Sequence, residues 1–261
     1  MKKTRLANGL EIYEINSHET SFLYDEIFVQ EVYATLGIEL EQDAVVIDVG
    51  ANIGLFALYW LQKVDGLAIH CFEPLPECLE VLRANLADHE KAVIVPKALG
   101  ATSGSMQITY YPNYTIMSSL FADAAEDLDT LRAGARADMK ARVGRELDDR
   151  ILDSFVKNRL VNEKVLDCEV ETISAYLDRC DVARVDLLKI DVEKAEMLVV
   201  QGIKPEHWER IHQLVIEVHD QGNQEQEQLK ELLESHGFEV RLMVEPMLDS
   251  ADLYVLVAKR K

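Results

Sequence analysis

The stretch VVIDVGANIGLF, residues 45–56, does most to limit what this chain can fold into. A short run, apolar but for Asp48, suits a strand buried on both faces, and Gly50, Asn52 and Gly54 form a turn after it. LFALYWLQKV then carries apolar residues around most of a helix. The same rhythm returns in LAIHCFEP with ECLEVLRANLADH, in KAVIVPKALG as a strand ending in a loop, and in VDLLKIDVE with KAEMLVVQGI. It returns once more in IHQLVIEVHD with QEQEQLKELLESHG. Strands alternating with helices mean βαβ units and a parallel sheet covered on both faces. FEVRLMVEP and DLYVLVAKRK end the sequence as two strands joined by a short turn, which leaves one strand antiparallel to the rest.

Two regions depart from this rhythm. At the front, LANGLEIYEI reads as a short hairpin or edge strand around Asn8-Gly9. ETSFLYDEIFVQEVYATLGI after it spaces Phe22, Leu23, Ile27, Val32 and Leu36 as one helix stopped at Gly37. In the middle, SMQITYYP alternates like a strand and leads into a charged, helix-forming insert, about residues 118–164. That insert is either a solvated helical hairpin or a cap over a ligand site. TISAYLDRC is a short helix. One domain over residues 1–261 is expected, with residues 1–40 as hairpin and lid helix and 41–261 as core.

A net charge of −20 over 261 residues argues against nucleic acid or an anionic membrane as the main partner, since either needs a basic surface. A small molecule or a protein partner is expected. Cys71, Cys78, Cys168 and Cys180 match no zinc spacing and read as reduced thiols of a cytoplasmic protein. The N-terminus has no apolar signal core, and no segment offers the roughly 18 apolar residues in a row that a membrane helix needs.

Ligands of such sheets lie beyond the carboxyl ends of the strands, where glycine lets the backbone come close. About 20 residues past the glycine turn, Glu73 ends the second strand, where a carboxylate can accept from both ribose hydroxyls. Together these features point to an adenosine-containing ligand. A dinucleotide site needs G-x-G-x-x-G, whereas GANIG lacks that spacing and follows an aspartate that would repel a phosphate. The same aspartate suits an ammonium group, and the terminal antiparallel pair agrees, so S-adenosylmethionine is the better fit.

VIDVGANIGLF, FEPLPECLEVLRANL, ALGATSGSMQITYY, LLKIDVEKAEMLVVQGI and LVIEVHD, in that order, resemble the FkbM family of S-adenosylmethionine-dependent methyltransferases, from about residue 40 to the C-terminus. NGLEIYEINSHETSFLYDEIF, YYPNYTIMSSLFAD and KIDVEKAE are more similar to a subset found in or beside polyketide and nonribosomal peptide synthases, whose members methylate oxygen. Lys194 stands where the wider family usually has glycine. The resemblance implies an α/β, Rossmann-like class I methyltransferase fold: a seven-stranded, mostly parallel sheet with a C-terminal antiparallel strand, an N-terminal lid helix and a helical insert. It also implies that Asp48, Gly50, Asn52 and Gly54 surround the methionine moiety, that Glu73 holds the ribose, and that Pro74 and the loop at Ala98 and Leu99 border the adenine. Asp191 would face the reacting centre.

LVIEVHD, residues 214–220, supplies the chemistry. Alternation along a strand puts Val215, Glu217 and His219 on one face, with His219 at the carboxyl end on the ligand rim. A hydroxyl is a poor nucleophile until a base takes its proton, and histidine is the usual base near neutral pH. Glu217 is the expected orienting carboxylate. A strand-end histidine bonded only to backbone or solvent is the plainer alternative, and Asp191, Glu193, His219 and Asp220 form a possible Mg²⁺ or Mn²⁺ set, although no metal is expected. Lys189 shares a face with Asp191 and is expected to pair with it. Tyr24, Tyr111, Tyr114, Met117 and Ser118 are candidates for the substrate pocket, though such residues also suit a packed cap.

The activity expected is O-methylation of a hydroxyl on a natural-product intermediate, free or tethered to a carrier protein. Methyl transfer to a sugar-like or nitrogen acceptor, and a docking module without catalysis, remain open. For an acidic carrier protein, residues 132–150 of the insert hold the densest basic cluster.

Overall fold

Asn8 and Gly9 reverse the chain at the start. Gly9 takes a left-handed φ of +91°, and the Leu10 N–H donates to the Asn8 side-chain oxygen at 3.1 Å. The strands on either side, β1 (Lys2–Arg5) and β2 (Glu11–Glu14), pair antiparallel. The computed structural model describes residues 1–143, 149–220, 222–244 and 253–261.

Asn16 caps the first helix, α1 (Ser17–Tyr24), by accepting from His18 N–H. The single helix expected from residue 19 to 38 is broken. A π-helical turn, Asp25–Val29, follows α1, and after Glu31, left-handed at φ +49°, comes the short α2 (Val32–Thr35). The apolar spacing explains the break: the five-residue step from Ile27 to Val32 does not fit a 3.6-residue turn, and a wider turn absorbs the extra residue.

From here strand and helix alternate as expected: β3 (Val45–Val49), α3 (Leu55–Lys63), β4 (Ala68–Phe72), α4 (Pro76–Asn85) and β5 (Ala92–Val95). Pro96, without an N–H to continue the ladder, ends β5. Ala98 and Leu99 then form β6 (Ala98–Leu99), a strand of a second sheet where a loop was expected. β7 (Gly104–Tyr110) follows, then the insert helices α5 (Ala124–Val143) and α6 (Asp149–Leu160), and β8 (Lys164–Glu171). The second sheet has the order β6-β8-β7. β8 is not among the expected elements, yet its buried Cys168 and Val170 alternate with exposed Val165, Asp167 and Glu169. Its short period-two signal lies beside the long charged insert.

The remaining elements are α7 (Ile173–Arg179), β9 (Leu187–Ile190), α8 (Glu196–Gln201), β10 (Gln213–His219), α9 (Glu225–Ser235), β11 (Phe238–Val244) and β12 (Leu253–Arg260). The main sheet has seven strands in the order β11-β12-β10-β9-β3-β4-β5. β12 runs antiparallel to both β10 and β11, while the pairs from β10 through to β5 are parallel. The turn expected between the last two strands lies outside the described residues.

Strand alternation divides the core cleanly. Val46, Leu187, Val215, Val255 and Val257 pack with Phe56, Tyr59 and Ile27 on one face, and Ile47, Leu188, Ile190, Ile216 and Val218 pack with Ile173, Val199 and Leu229 on the other. Full burial of each such side chain contributes about 1.5–3 kcal/mol before the entropy of ordering it is counted. Strand order reverses between β3 and β9, and a parallel sheet leaves its ligand crevice beyond the carboxyl ends at that point. There the functional side chains meet.

Candidate active site

The turn after β3 is pinned from two neighbouring strands. Gly50 and Ala51 N–H donate to the Phe72 carbonyl at the end of β4, at 3.1 and 3.0 Å, and Lys189 Nζ on β9 donates to the Gly50 carbonyl at 3.0 Å. Gly50 is left-handed at φ +80°, and a Cβ there would lie 1.9 Å from the Asp191 carbonyl oxygen. Only glycine lets the turn pass so close to the end of β9. Gly54, at φ +89°, serves a different contact, since a Cβ there would lie 2.7 Å from Leu82 on α4.

Asn52 joins four segments of the chain. Its N–H donates to Glu73 Oε2 at 2.9 Å and its side-chain amide to Thr115 Oγ1 at 2.9 Å. Thr115 in turn donates its hydroxyl to Glu19 Oε2 on α1 at 2.7 Å. The other Glu73 oxygen accepts from Leu75 N–H at 2.8 Å. Burial pushes the carboxyl pKa of Glu73, and that of Glu19, up to about 7, against hydrogen bonds that pull each down.

Beneath the turn, Lys189 Nζ lies 3.1 Å from Asp48 Oδ1 and 3.2 Å from Asp191 Oδ2. Burial alone would lower the lysine pKa, but Asp191 and Asp48 hold it well above the usual range. Glu26, Tyr33 and Leu36 from the N-terminal helices face Lys189, Asp191 and Glu217 across a cleft.

His219, at the end of β10, is held at both ring nitrogens. Nδ1 lies 2.9 Å from Glu196 Oε1 and Nε2 lies 3.1 Å from Glu193 Oε2. Glu217 Oε1 is 3.7 Å from Nε2. Burial would lower the imidazole pKa, yet Glu193, Glu196 and Glu217 outweigh it and lift the group well above its ordinary value. Burial pushes Glu193 up to about 7 and, with Asp191 nearby, raises Glu217 strongly, while His219 opposes both shifts.

Residues 48–240 match the family described as Methyltransferase FkbM domain, well over half of the chain. The chain belongs to the FkbM family of methyltransferases. The 31-O-demethyl-FK506 methyltransferase FkbM of Streptomyces tacrolimicus is 35% identical over 98% of this chain and 96% of its own length. Methyltransferase sdnD of Sordaria araneosa is 33% identical over 90% of this chain and 88% of its own. The AMB antimetabolite synthetase AmbE of Pseudomonas aeruginosa is 35% identical over 98% of this chain, which spans 12% of that synthetase. Membership makes this FkbM-family chain an S-adenosylmethionine-dependent enzyme.

Within the FkbM-family site, several expected residues change part. Glu217 does not orient His219: successive residues on one face of a strand stand roughly 6–7 Å apart along it, so a carboxylate two positions away reaches the ring only loosely. Glu196, from α8, makes the close contact instead. Asp48, expected around the methionine moiety, is fully buried against Lys189. Lys189 pairs with Asp191 as expected, and with Asp48 as well. Asp220, counted in the metal alternative, accepts from Asn223 N–H at 3.0 Å and closes its own loop. Among the described residues no group of three or more His, Cys, Asp or Glu is arranged to hold a metal.

Asn52, expected beside the methionine moiety, and Glu73, expected on the ribose, are joined by a hydrogen bond, Pro74 follows Glu73 directly, and Ala98 packs with Leu75 and Cys78 nearby. Leu99 instead fills the core beside Phe72 and Tyr176. The residues expected in the substrate pocket divert to packing. Tyr24 stacks on Phe28 at 5.2 Å, Tyr114 lies under the Arg159 guanidinium, and Met117 and Tyr111 join the core of the insert. Ser118 Oγ accepts from Tyr111 N–H. In the basic cluster of the insert, Arg132 is engaged by Asp129 and Asp153, and residues 144–148 lie outside the described residues.

Glu19, Thr115 and Glu196 were not anticipated. The signal for Glu196 was an acid opening the apolar stretch EMLVV, three residues after Glu193. Nothing local marks Glu19 or Thr115, because each gains its role from a contact 96 residues away in sequence.

Proposed function

We propose that the chain is an O-methyltransferase that moves a methyl group from S-adenosylmethionine to a hydroxyl of a polyketide- or peptide-type intermediate, with His219 as general base. The observation that carries this reading is His219 at the carboxyl end of β10, with Nδ1 held by Glu196 at 2.9 Å and Nε2 3.1 Å from Glu193. The donor chemistry fits S-adenosylmethionine. Each buried Glu73 oxygen accepts one amide bond and keeps capacity for a ribose hydroxyl, and the acidic cleft suits a sulfonium and an ammonium. Residues 50–54 would border the methionine moiety and Ala98 the adenine. When bound, S-adenosylmethionine supplies an activated methyl group, so the chain must align the acceptor and remove its proton.

The proton balance follows from the side chains. An acceptor hydroxyl gives its proton to Nε2 as its oxygen bonds to the methyl carbon, and Glu196 keeps Nδ1 protonated so that Nε2 is the basic nitrogen. Glu193 and Glu217 then stabilise the imidazolium. Asp191, on the rim beside them, faces the same space.

The relatives' names support the acceptor class. One acts on 31-O-demethyl-FK506, and one is a synthetase in which the matching segment is a small part. We propose that residues 1–261 act as one catalytic unit on a free or carrier-tethered acceptor. The four free cysteines suit the cytoplasm, and no helix among the described residues is long and apolar enough to cross a membrane. The test is an assay with methyl-labelled S-adenosylmethionine and 31-O-demethyl-FK506 or a carrier-bound hydroxyacyl thioester, with His219→Ala as control. Label on the acceptor oxygen that is lost in the variant supports the proposal, and cofactor binding without turnover on either acceptor overturns it.

A further inference from the structure

The loop between β9 and α8 carries two consecutive left-handed residues that are not glycine, Glu193 at φ +47° and Lys194 at φ +70°. Such a backbone favours glycine, and bulky residues kept there imply that their side chains have a task. The Lys194 side chain runs to the insert. Its Nζ lies 2.8 Å from Asp127 Oδ1 and 3.3 Å from Glu126 Oε2, both on α5, and the Lys194 and Asp127 side chains are 9% and 2% exposed. The second Asp127 oxygen accepts the Tyr111 hydroxyl at 2.9 Å, which closes a buried chain from the loop through α5 to the segment after β7. Ser119 Oγ adds a second tie by donating to the Glu193 carbonyl.

The same loop also reaches His219. Glu193 meets Nε2, and the Lys194 N–H donates at 3.1 Å to Glu196 Oε1, the oxygen that holds Nδ1. Both contacts on the imidazole therefore depend on a backbone that the insert grips. We propose that Lys194 is a positioning residue: by fixing α5 to this loop it sets both the wall against which the acceptor docks and the geometry of the carboxylates on His219. The proposal rests on the reading of His219 as the base, and it makes the insert a wall of the acceptor site, neither a freely solvated hairpin nor a part of the cofactor site.

Lys194→Gly is the decisive variant, because glycine suits φ +70° and the fold should survive while the ammonium is lost. A buried charged contact of this kind is worth about a tenfold change in an equilibrium or more. The measurements are amide hydrogen exchange over residues 124–143 in the full chain, S-adenosylmethionine affinity, and KM and kcat for 31-O-demethyl-FK506. In Lys194→Gly we expect exchange in α5 to rise by about tenfold and acceptor KM by about tenfold, cofactor affinity to stay within about twofold, and Lys194→Arg to restore part of each. Asp127→Asn should reproduce the exchange effect and add little on top of Lys194→Gly. Unchanged exchange and unchanged acceptor KM in Lys194→Gly would overturn the proposal. An active His219→Ala enzyme with faster α5 exchange in Lys194→Gly would instead remove the base assignment and leave the clamp standing.

Discussion

Glu196 Oε1 meets His219 Nδ1 at 2.9 Å, joining the first residue of α8 to the last residue of β10. Glu217, two residues before the histidine, stands 3.7 Å from the other ring nitrogen. The contact at Nδ1 decides which nitrogen is basic, so Glu196→Gln should lower kcat by roughly 10²–10⁴-fold. Glu217→Gln should cost less than about tenfold, on the scale of an outer contact. Steady-state kinetics of the two variants side by side test the ranking, and equal losses would contradict it.

The carboxylates around His219 predict the pH dependence. A base must be neutral to act, and Glu193, Glu196 and Glu217 hold the imidazole pKa well above its ordinary value of 6.5 despite burial. The rate should therefore climb with pH through a value above that of ordinary histidine. Glu193→Gln removes a cause of the rise and should shift the climb to lower pH. A profile of kcat/KM against pH for parent and variant reads this directly, and a shift to higher pH is the opposing result.

Gly9, at φ +91°, and Gly50, at φ +80°, differ in what a side chain would meet. A Cβ at Gly9 would come no closer than 3.7 Å to the flexible end of Arg5, whereas at Gly50 it would overlap the Asp191 carbonyl. Gly9→Ala should cost about 1–2 kcal/mol, the backbone strain alone. Gly50→Ala should cost clearly more, because the Asp191 backbone just past β9 cannot step aside. Urea unfolding of both variants measures the difference.

Glu73 links stability to pH. Its folded pKa of about 7 lies above the ordinary value of 4.5, so between these values the folded chain keeps a proton that the unfolded chain has lost. That contribution is fully present below pH 4.5 and disappears as pH rises through about 7. In the cofactor-free protein, Glu73→Gln should gain Tm relative to the parent steadily across that interval. A constant difference across the interval would show that Glu73 titrates as an exposed carboxylate does.

The sheet was legible because its strands are short apolar runs between glycine turns, a signal that survives without tertiary information. Glu73 and His219 were legible because each ends such a run. The break after Tyr24 and the strand at Lys164 were less so, one hidden in a single five-residue step and the other beside a long charged insert. The partners of His219 were misassigned for a geometric reason: neighbours along a strand are easy to read, while Glu196 arrives from the helix after a different strand. Asp48 illustrates the same limit, since its buried partner Lys189 is 141 positions away on β9.

The most direct test of the account is the fate of a ¹³C-labelled methyl group from S-adenosylmethionine presented with 31-O-demethyl-FK506 or a carrier-bound hydroxyacyl thioester. Carbon NMR of the product should show a methoxy signal with the parent enzyme. The rate should fall by roughly 10²–10⁴-fold in His219→Ala, with S-adenosylmethionine affinity unchanged. Label on nitrogen or carbon, or a methoxy product formed by His219→Ala at the parental rate, would contradict it.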